Sequence, residues 1–211
     1  MCRLLRERKY IMSSHQSKNP WNYKLNTACL VLIPAAIGIN YVAKLFASVL
    51  KLPLWLGTLG TCISACLAGP IVGGIAGFLT NIIYGLTIDP VSTVYSITAA
   101  AIGVSVGIAA HLKFLDTWQH ILVTSLIVAM IAVIISTPLN MIYWGGTTGN
   151  VWGDAVFAAM GSKGFFASFV DELVVDIPDK IVVLFIAVGI YKVLPKGLIA
   201  LYQVHDEQFD D

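Results

Sequence analysis

Four carboxylates lie within nine residues near the end of a mostly apolar chain: Asp171, Glu172, Asp176 and Asp179. They precede the apolar run 181–194, whose 14 residues would extend about 21 Å as a helix, short of the roughly 30 Å core of a bilayer. A spanning helix of about 20 residues that ends near Tyr191 must begin near Glu172. We therefore expect the acids at or just inside the membrane boundary.

The spacing of these acids indicates what they contact. Glu172, Asp176 and Asp179 follow i, i+4, i+7 spacing and share a helix face. A charge near the bilayer centre costs at least about 2.5 kcal/mol, so it usually faces a cavity, a partner charge or a binding site. The alternative is a solvated helix start outside the lipid. Pro178 bends the helix in either version, because an interior proline frees the carbonyl of Val174.

The composition is typical of an integral membrane protein. The chain is 57% hydrophobic and only 12% charged, and its mean hydropathy is +0.81. We predict an all-α fold, a six-helix transmembrane bundle with spans 25–50, 52–68, 70–86, 91–111, 118–143 and a last one ending near Leu194. The second and third spans are short, and only Gly69 separates them. Residues 1–24 and 197–211 are the predicted flanking segments, and residues 25–196 form the membrane domain.

The basic residues predict the orientation of this bundle. Six spans place both termini on one side, which then holds nine of the 13 basic residues: Arg3, Arg6, Arg8, Lys9, Lys18, Lys24, Lys113, Lys192 and Lys196. The positive-inside rule makes this side cytoplasmic. Lys44, Lys51, Lys163 and Lys180 remain for the outside.

The larger polar side chains in the spans concentrate toward the outer side when depth is counted at about 1.5 Å per residue. The candidate substrate-binding residues are Asn40, Lys44, Asn81, Tyr84, Tyr95, Asn140, Tyr143, Trp144, Glu172, Asp176 and Asp179. The inner halves instead carry small residues at intervals of four, such as Gly69, Gly73 and Gly77, which let helices approach closely. This pattern predicts a tight bundle beneath a polar cup that opens outward.

The connection 145–164 is long and contains six glycines. A loop of this length in a compact protein is usually functional or disordered. Because the predicted topology puts it outside, above the cup, we expect it to act as a lid. Trp144 and Trp152 have an alternative role as anchors at the membrane interface.

Several function classes lack their motifs in this sequence. There is no Gly-Lys pair, so the chain carries no P-loop, and any ATP-driven transport needs a partner. No H-E-x-x-H motif occurs, and we predict no catalytic residues. The four cysteines lack metal-ligand spacing, so we expect neither a metal nor a disulfide. The single basic cluster, 3–9, adjoins a membrane, which favours anionic lipid over nucleic acid as its partner.

Three stretches together resemble the substrate-binding S components of energy-coupling factor (ECF) vitamin transporters. They are the small-residue first helix around 35–47, the segment 69–77 (GPIVGGIAG) leading to Asn81, and the segment 176–180 (DIPDK). The likeness covers roughly residues 25–196. It implies a six-helix S component in a bacterial-type plasma membrane, with both termini inside, that captures a water-soluble vitamin or precursor from outside.

The resemblance also implies partners. Family members dock through an A-x-x-x-A-type surface of the first helix on a transmembrane coupling subunit, the T component, which two ATPases drive. Here Ala43 and Ala47 fit this pattern, whereas the register that begins at Ala36 breaks at Asn40. The resemblance implies no cofactor and no enzymatic activity of the chain itself, since the ATP is used by the partners.

The substrate class follows from the candidate residues. The acids can accept hydrogen bonds from a protonated ring nitrogen or amine, and Tyr84, Tyr95, Tyr143 and Trp144 can stack on a flat ring. A pyrimidine or pyridine type such as hydroxymethylpyrimidine or pyridoxine suits both. Alternatively, Lys44 and Lys180 neutralise the acids or hold an anion such as pantothenate. A membrane sensor or structural module and an intramembrane enzyme using Asp176 and Asp179 are the competing classes.

Overall fold

The computed structural model describes residues 26–161 and 164–202. These ranges form seven α-helices and one 3-10 turn, and they contain no strand. The helices are α1 (Thr27–Val49), α2 (Leu59–Thr87), α3 (Ser96–His111), α4 (Trp118–Trp144), α5 (Val151–Ala159), α6 (Phe165–Val193) and α7 (Lys196–Tyr202), and the 3-10 turn is Pro90–Thr93. The predicted all-α class is thus confirmed for the described residues.

The helix boundaries differ from the predicted spans mainly near the acids, before α2 and before α3. The predicted second span 52–68 is helical only from Leu59, because residues 52–58 form part of a loop. α6 begins at Phe165, so all four acids lie well inside a helix of 29 residues. Residues 90–93 form a 3-10 turn because the Asp89 carboxylate accepts a hydrogen bond from the Val91 backbone N–H at 3.2 Å. α7 occupies part of the predicted tail 197–211. The predicted basic segment 1–24 and residues 203–211 lie outside the described residues.

Three helices are long and apolar enough to cross a bilayer: α1, α2 and α4. Large apolar side chains cover their outer surfaces, where Val31 is 65% exposed, Val42 67% and Ile134 59%. Water-soluble monomers rarely expose so much continuous apolar surface, so these faces are suited to lipid. α6 is equally long, but its charged residues keep it out of this group.

α2 is a hairpin rather than a single rod. Gly69 interrupts the helix with φ 84° and ψ −176°, a conformation that favours glycine. Pro70 then starts a new arm, where its missing N–H is not needed. The arms 59–68 and 70–87 run side by side, so closely that a Cβ added to Gly73 would collide with Ala65. The chain therefore turns back at the boundary between the second and third predicted spans.

Asn40 ties α1 to both arms of this hairpin. Its Nδ2 donates to the hydroxyls of Thr61 at 2.8 Å and Thr80 at 2.9 Å, which would lie about 28 Å apart in a straight helix. Its Oδ1 accepts from the backbone N–H groups of Gly60 at 2.7 Å and Thr61 at 3.2 Å. First-turn N–H groups of a helix lack internal acceptors, so Asn40 caps α2 from a neighbouring helix.

The two ends of the bundle have different chemistry. Around the Gly69 turn lies the apolar core, which includes Cys29, Ala68, Val72, Val106 and Val188. At the same end the Asn26 side chain donates to the Leu201 carbonyl at 2.8 Å, so the two ends of the described chain are adjacent. The loops 50–58, 88–95 and 145–150 meet at the opposite end, where polar side chains collect.

The packing of α3 against the α2 hairpin depends on glycine. A Cβ on Gly103 would lie against the backbone carbonyl of Gly73, so we expect Gly103→Ala to destabilise the protein by about 1–3 kcal/mol. Thermal unfolding of purified protein in detergent measures this as a lower Tm. Gly189→Ala is the control, because no atom of the described residues lies within 4 Å of its added Cβ, and the Tm of this variant should not fall. Equal Tm values for both variants would contradict this packing.

Candidate functional site

A cavity of about 300 Å³ lies at the loop end of the bundle. α1, α2, α3, α4 and α6 contribute to its wall, together with the loops before α2, before α3 and after α4. Polar, charged or aromatic side chains make up most of the lining: Lys44, Trp55, Thr58, Asn81, Asp89, Ser92, Tyr95, Thr98, Ser136, Trp144, Thr148, Glu172, Asp176 and Lys180. This size and mixture are typical of a site for a small molecule.

The four acids of α6 point in different directions. Glu172 and Asp176, one turn apart, line the cavity. Asp171 and Asp179 instead bond to loops on either side of it. All four are buried within the chain, which does not fit a solvated helix start.

Asp179 holds the loop that precedes α2. Its Oδ1 accepts from the backbone N–H groups of Trp55 at 2.9 Å and Leu56 at 2.8 Å. Leu56 has φ 51°, a left-handed conformation that costs a residue other than glycine about 1–2 kcal/mol and that these hydrogen bonds offset. Asp179 therefore positions Trp55 in the cavity wall and does not line the cavity itself.

Asp171 holds the loop that follows α4. It accepts from the Thr148 hydroxyl at 2.8 Å and from the Thr148 backbone N–H at 3.3 Å. Asp154 of α5 accepts from the backbone N–H groups of Thr148 and Gly149, each at 3.1 Å. The connection 145–164 thus contains a nine-residue helix, where the sequence predicted a long loop that acts as a lid. Its role as a lid stays a prediction.

Asn140 lies behind the cavity wall. Its Nδ2 donates to Glu172 Oε1 at 2.8 Å, and its Oδ1 accepts a hydrogen bond from the Tyr95 hydroxyl. Tyr95 in turn stacks on Trp144, with ring centroids 5.8 Å apart and planes inclined by 28°. One buried amide therefore sets the positions of a carboxylate and of an aromatic pair that both border the cavity.

Lys180 is buried between two acids of its own helix. Its Nζ lies 2.6 Å from Asp179 Oδ2 and 3.2 Å from Asp176 Oδ1. Taking three charges out of water is costly unless they are paired with good geometry. Lys180, Asp176 and Asp179 form a buried ionic triad. The triad holds these three side chains in one arrangement at the edge of the cavity.

Lys44 is the second cation of the wall, and it too has partners. Its Nζ donates to Ser92 Oγ at 2.7 Å and to Asn81 Oδ1 at 3.3 Å. It also lies 4.3 Å from the ring centroid of Tyr84, within the range of a cation–π interaction. Ser92 Oγ donates to Asp89 Oδ2 at 2.9 Å, which links Lys44 to a carboxylate.

Only some of the predicted substrate-binding residues line the cavity. Six line the cavity, namely Lys44, Asn81, Tyr95, Trp144, Glu172 and Asp176, and five do not, namely Asn40, Tyr84, Asn140, Tyr143 and Asp179. Asn140 and Asp179 support the wall from behind, and Asn40 caps α2. Tyr84 is buried beside Lys44, whereas Tyr143 is 59% exposed. The depth of a residue along its helix indicates how close it lies to the cavity end, but it does not show which way each side chain points.

Several lining residues were not among the predicted ones: Trp55, Thr58, Asp89, Ser92, Thr98, Ser136, Thr148 and Lys180. Most lie in loops or are small hydroxyls within apolar helices, which carry no periodic signal. Lys180 was visible in the sequence as a possible partner of the acids. Thr98 and Ser136 bond to each other across α3 and α4 at 3.1 Å, a pairing that only the packed helices create.

The predicted docking alanines of α1 face different ways. Ala36 and Ala47 are buried inside the chain, and the Ala36 carbonyl lies against Gly60. Ala43 borders a shallow apolar groove with Gly38 and Phe46. In this conformation Ala43 alone of the three lies on a face that another subunit can reach.

Neither a metal site nor a known relative identifies the cavity. Within the described part of the chain, no three His, Cys, Asp or Glu side chains are grouped to hold a metal ion. Comparison of the chain with protein-family models, curated proteins and solved structures finds no match. The chemistry of the cavity is therefore the main guide to function.

Removing Lys180 should destabilise the protein. Lys180→Met leaves Asp176 and Asp179 buried without their cation, which costs about 3–5 kcal/mol when one partner of a buried pair is lost. We expect a clear drop in Tm, measured by the tryptophan fluorescence of the purified protein in detergent. Lys192→Met is the control, because that exposed lysine donates only to the Asp116 carbonyl among the described residues. Adding Asp176→Asn and Asp179→Asn to Lys180→Met should recover part of the loss, and an unchanged Tm for Lys180→Met would contradict the buried triad.

Proposed function

We propose that this chain is the substrate-capture subunit of an ECF-type importer, binding a small water-soluble vitamin or precursor from outside the cell. The observation that carries the proposal is a cavity lined mainly by polar, charged and aromatic residues at one end of an apolar helical bundle. Its side chains hold one another in place through hydrogen bonds, as a binding site requires. A flat heterocycle of the pyrimidine or pyridine type is the favoured ligand.

The helix order supports a bundle of six membrane segments. α1, the two arms of α2, α3, α4 and α6 supply them, with the chain reversing at Gly69. The arm 59–68 would extend only about 15 Å, about half of a bilayer core. Its shortness leaves room above it for the loop 50–58, which brings Trp55 and Thr58 to the cavity.

The orientation is inferred from charge. Lys113 and Lys192 lie at the end opposite the cavity, where Lys192 Nζ donates to the Asp116 carbonyl at 2.9 Å. The positive-inside rule makes that end cytoplasmic, so the cavity opens outward. The basic residues of 1–24, which the same rule assigns to the cytoplasm, lie outside the described residues.

Energy for release would come from partners. The sequence carries no P-loop, so the proposal assigns ATP hydrolysis to two ATPase subunits and mechanical coupling to a T component. The α1 face around Ala43 is the part of the predicted docking surface that remains open to such a partner.

Purification with retained ligand tests capture. We expect mass spectrometry of material released from detergent-purified protein to show one defined small molecule. Glu172→Gln should lower the amount retained, because Glu172 lines the cavity, whereas Asp116→Asn, at the other end, should not. Folded protein that is empty in every preparation, even after growth with added vitamins, would contradict the proposal.

Labelling of intact cells tests the orientation. Cys29, Cys62 and Cys66 are buried, so a variant that also carries Cys2→Ser offers a low background for an impermeant maleimide. Val151→Cys, on α5 at the cavity end, should react from outside. Asp116→Cys should react only after the membrane is permeabilised, and the reverse pattern would overturn the outward-facing cavity.

A further inference from the structure

We infer that the cavity selects a small flat ring that carries N–H donors and a positive charge, and rejects rings that carry a carboxylate or phosphate. This selectivity rests on the proposed function and narrows it to a substrate class. It follows from which polar atoms of the wall already have partners and which do not.

The charged groups of the wall are unequal in number. Asp89, Glu172 and Asp176 line the cavity against Lys44 and Lys180. Asp179, directly behind, contributes another carboxylate to Lys180 at 2.6 Å. In a partly enclosed site this excess of carboxylates attracts a cation and repels an anion.

Both cations of the wall are already engaged. Lys180 is held between Asp176 and Asp179, and Lys44 donates to Ser92 and Asn81 beside the Tyr84 ring. Each ammonium group has three N–H donors, so each lysine keeps one for a ligand. Its positive charge, however, already faces carboxylates: Asp176 and Asp179 at Lys180, and Asp89, through Ser92, at Lys44. An anion would therefore gain little from either lysine and would be repelled by these carboxylates, which opposes anion binding.

The carboxylates of Glu172 and Asp176 keep free acceptor atoms. Asn140 donates to Glu172 Oε1, and Lys180 donates to Asp176 Oδ1. Among residues 26–161 and 164–202, no donor bonds the second oxygen of either carboxylate. Glu172 and Asp176 are one helical turn apart on the cavity face, so two neighbouring oxygens can accept charge-assisted hydrogen bonds from one ligand.

Thr58 supplies an independent indication of a ligand on another part of the wall. It lines the cavity, is only 8% exposed, and its hydroxyl has no hydrogen-bond partner in the described structure. Although Thr58 is the N-cap of α2, Asn40 already accepts from Gly60 and Thr61 in its place. A buried hydroxyl left unpaired costs about 1–3 kcal/mol. The oxygen itself is buried, so a polar atom of the ligand would offset this cost once the Thr58 side chain turns toward the cavity.

The aromatic side chains account for the flat ring. Tyr95 and Trp144 form a stacked pair at the wall, and Trp55 lines the cavity from the loop that Asp179 holds. Ala99 and Ile102 add apolar surface. A heterocycle with an exocyclic amine or amidine matches this combination of flat apolar walls and paired acceptors.

Matched pairs of probes separate charge from shape. We would titrate the purified full-length chain in detergent at about pH 7 with 4-aminopyridine and isonicotinate, and with benzamidine and benzoate, by calorimetry. In each pair the ring is the same, and the cation should bind at least about tenfold more tightly than the anion. Equal or tighter binding of the anions would overturn the inference.

Substitutions of lining residues test which side chains of the cavity wall cause the preference for cations. Glu172→Gln and Asp176→Asn should each weaken binding of the cations by about tenfold, and Thr58→Val should weaken it less. Asp116→Asn, which makes the same chemical change far from the cavity, should leave affinity unchanged, and Tm is measured for every variant. Equal affinity in all folded variants would overturn the inference.

The outcomes also distinguish this inference from the proposed function. Recovery of an anionic ligand from purified protein, or selective binding of the anionic probes, overturns the charge selectivity but leaves substrate capture intact. Folded protein that yields no ligand and binds no probe overturns both.

Discussion

Burial of four carboxylates on one helix is the constraint on which the loop end of the molecule depends. Each acid that α6 takes into the bundle needs a donor or a cation, because an unpaired buried charge is too costly. The partners come from the loop before α2, the loop after α4, Asn140 of α4 and Lys180 of α6 itself. The acids thereby fix two loops and the helix α4 relative to α6.

The opposite end of the bundle, around the Gly69 turn, is stabilised by close packing of helices instead of by charge pairing. Small residues let the arms of α2 and the helix α3 approach until backbone atoms touch, as at Gly73 and Gly103. Such contacts replace the hydrophobic driving force that lipid does not supply between helices. A rigid apolar base therefore supports a polar cavity, and the division between them coincides with the two ends proposed to face the cytoplasm and the exterior.

Individual residues show why the fold was easier to predict than the site. Apolar run lengths and Gly69 with Pro70 located most of the helices, since these signals are local in the chain. Asp176 and Asp179 looked alike in sequence, yet one lines the cavity and the other caps backbone N–H groups of a loop. Helical spacing groups such residues within about one face, but it does not reveal which neighbour packs against each part of that face.

The sequence by itself determined an all-α chain with long apolar helices and a set of polar residues concentrated toward one end, because helix formation and hydropathy depend on neighbouring residues. Only the tertiary structure decided which polar atoms are satisfied. Asn40 caps α2 and so leaves the Thr58 hydroxyl without a partner among the described residues, while Lys180 and Asn140 each occupy one oxygen of a cavity carboxylate. These pairings join residues far apart in the chain, and hydrogen bonds between them form only once the helices have packed.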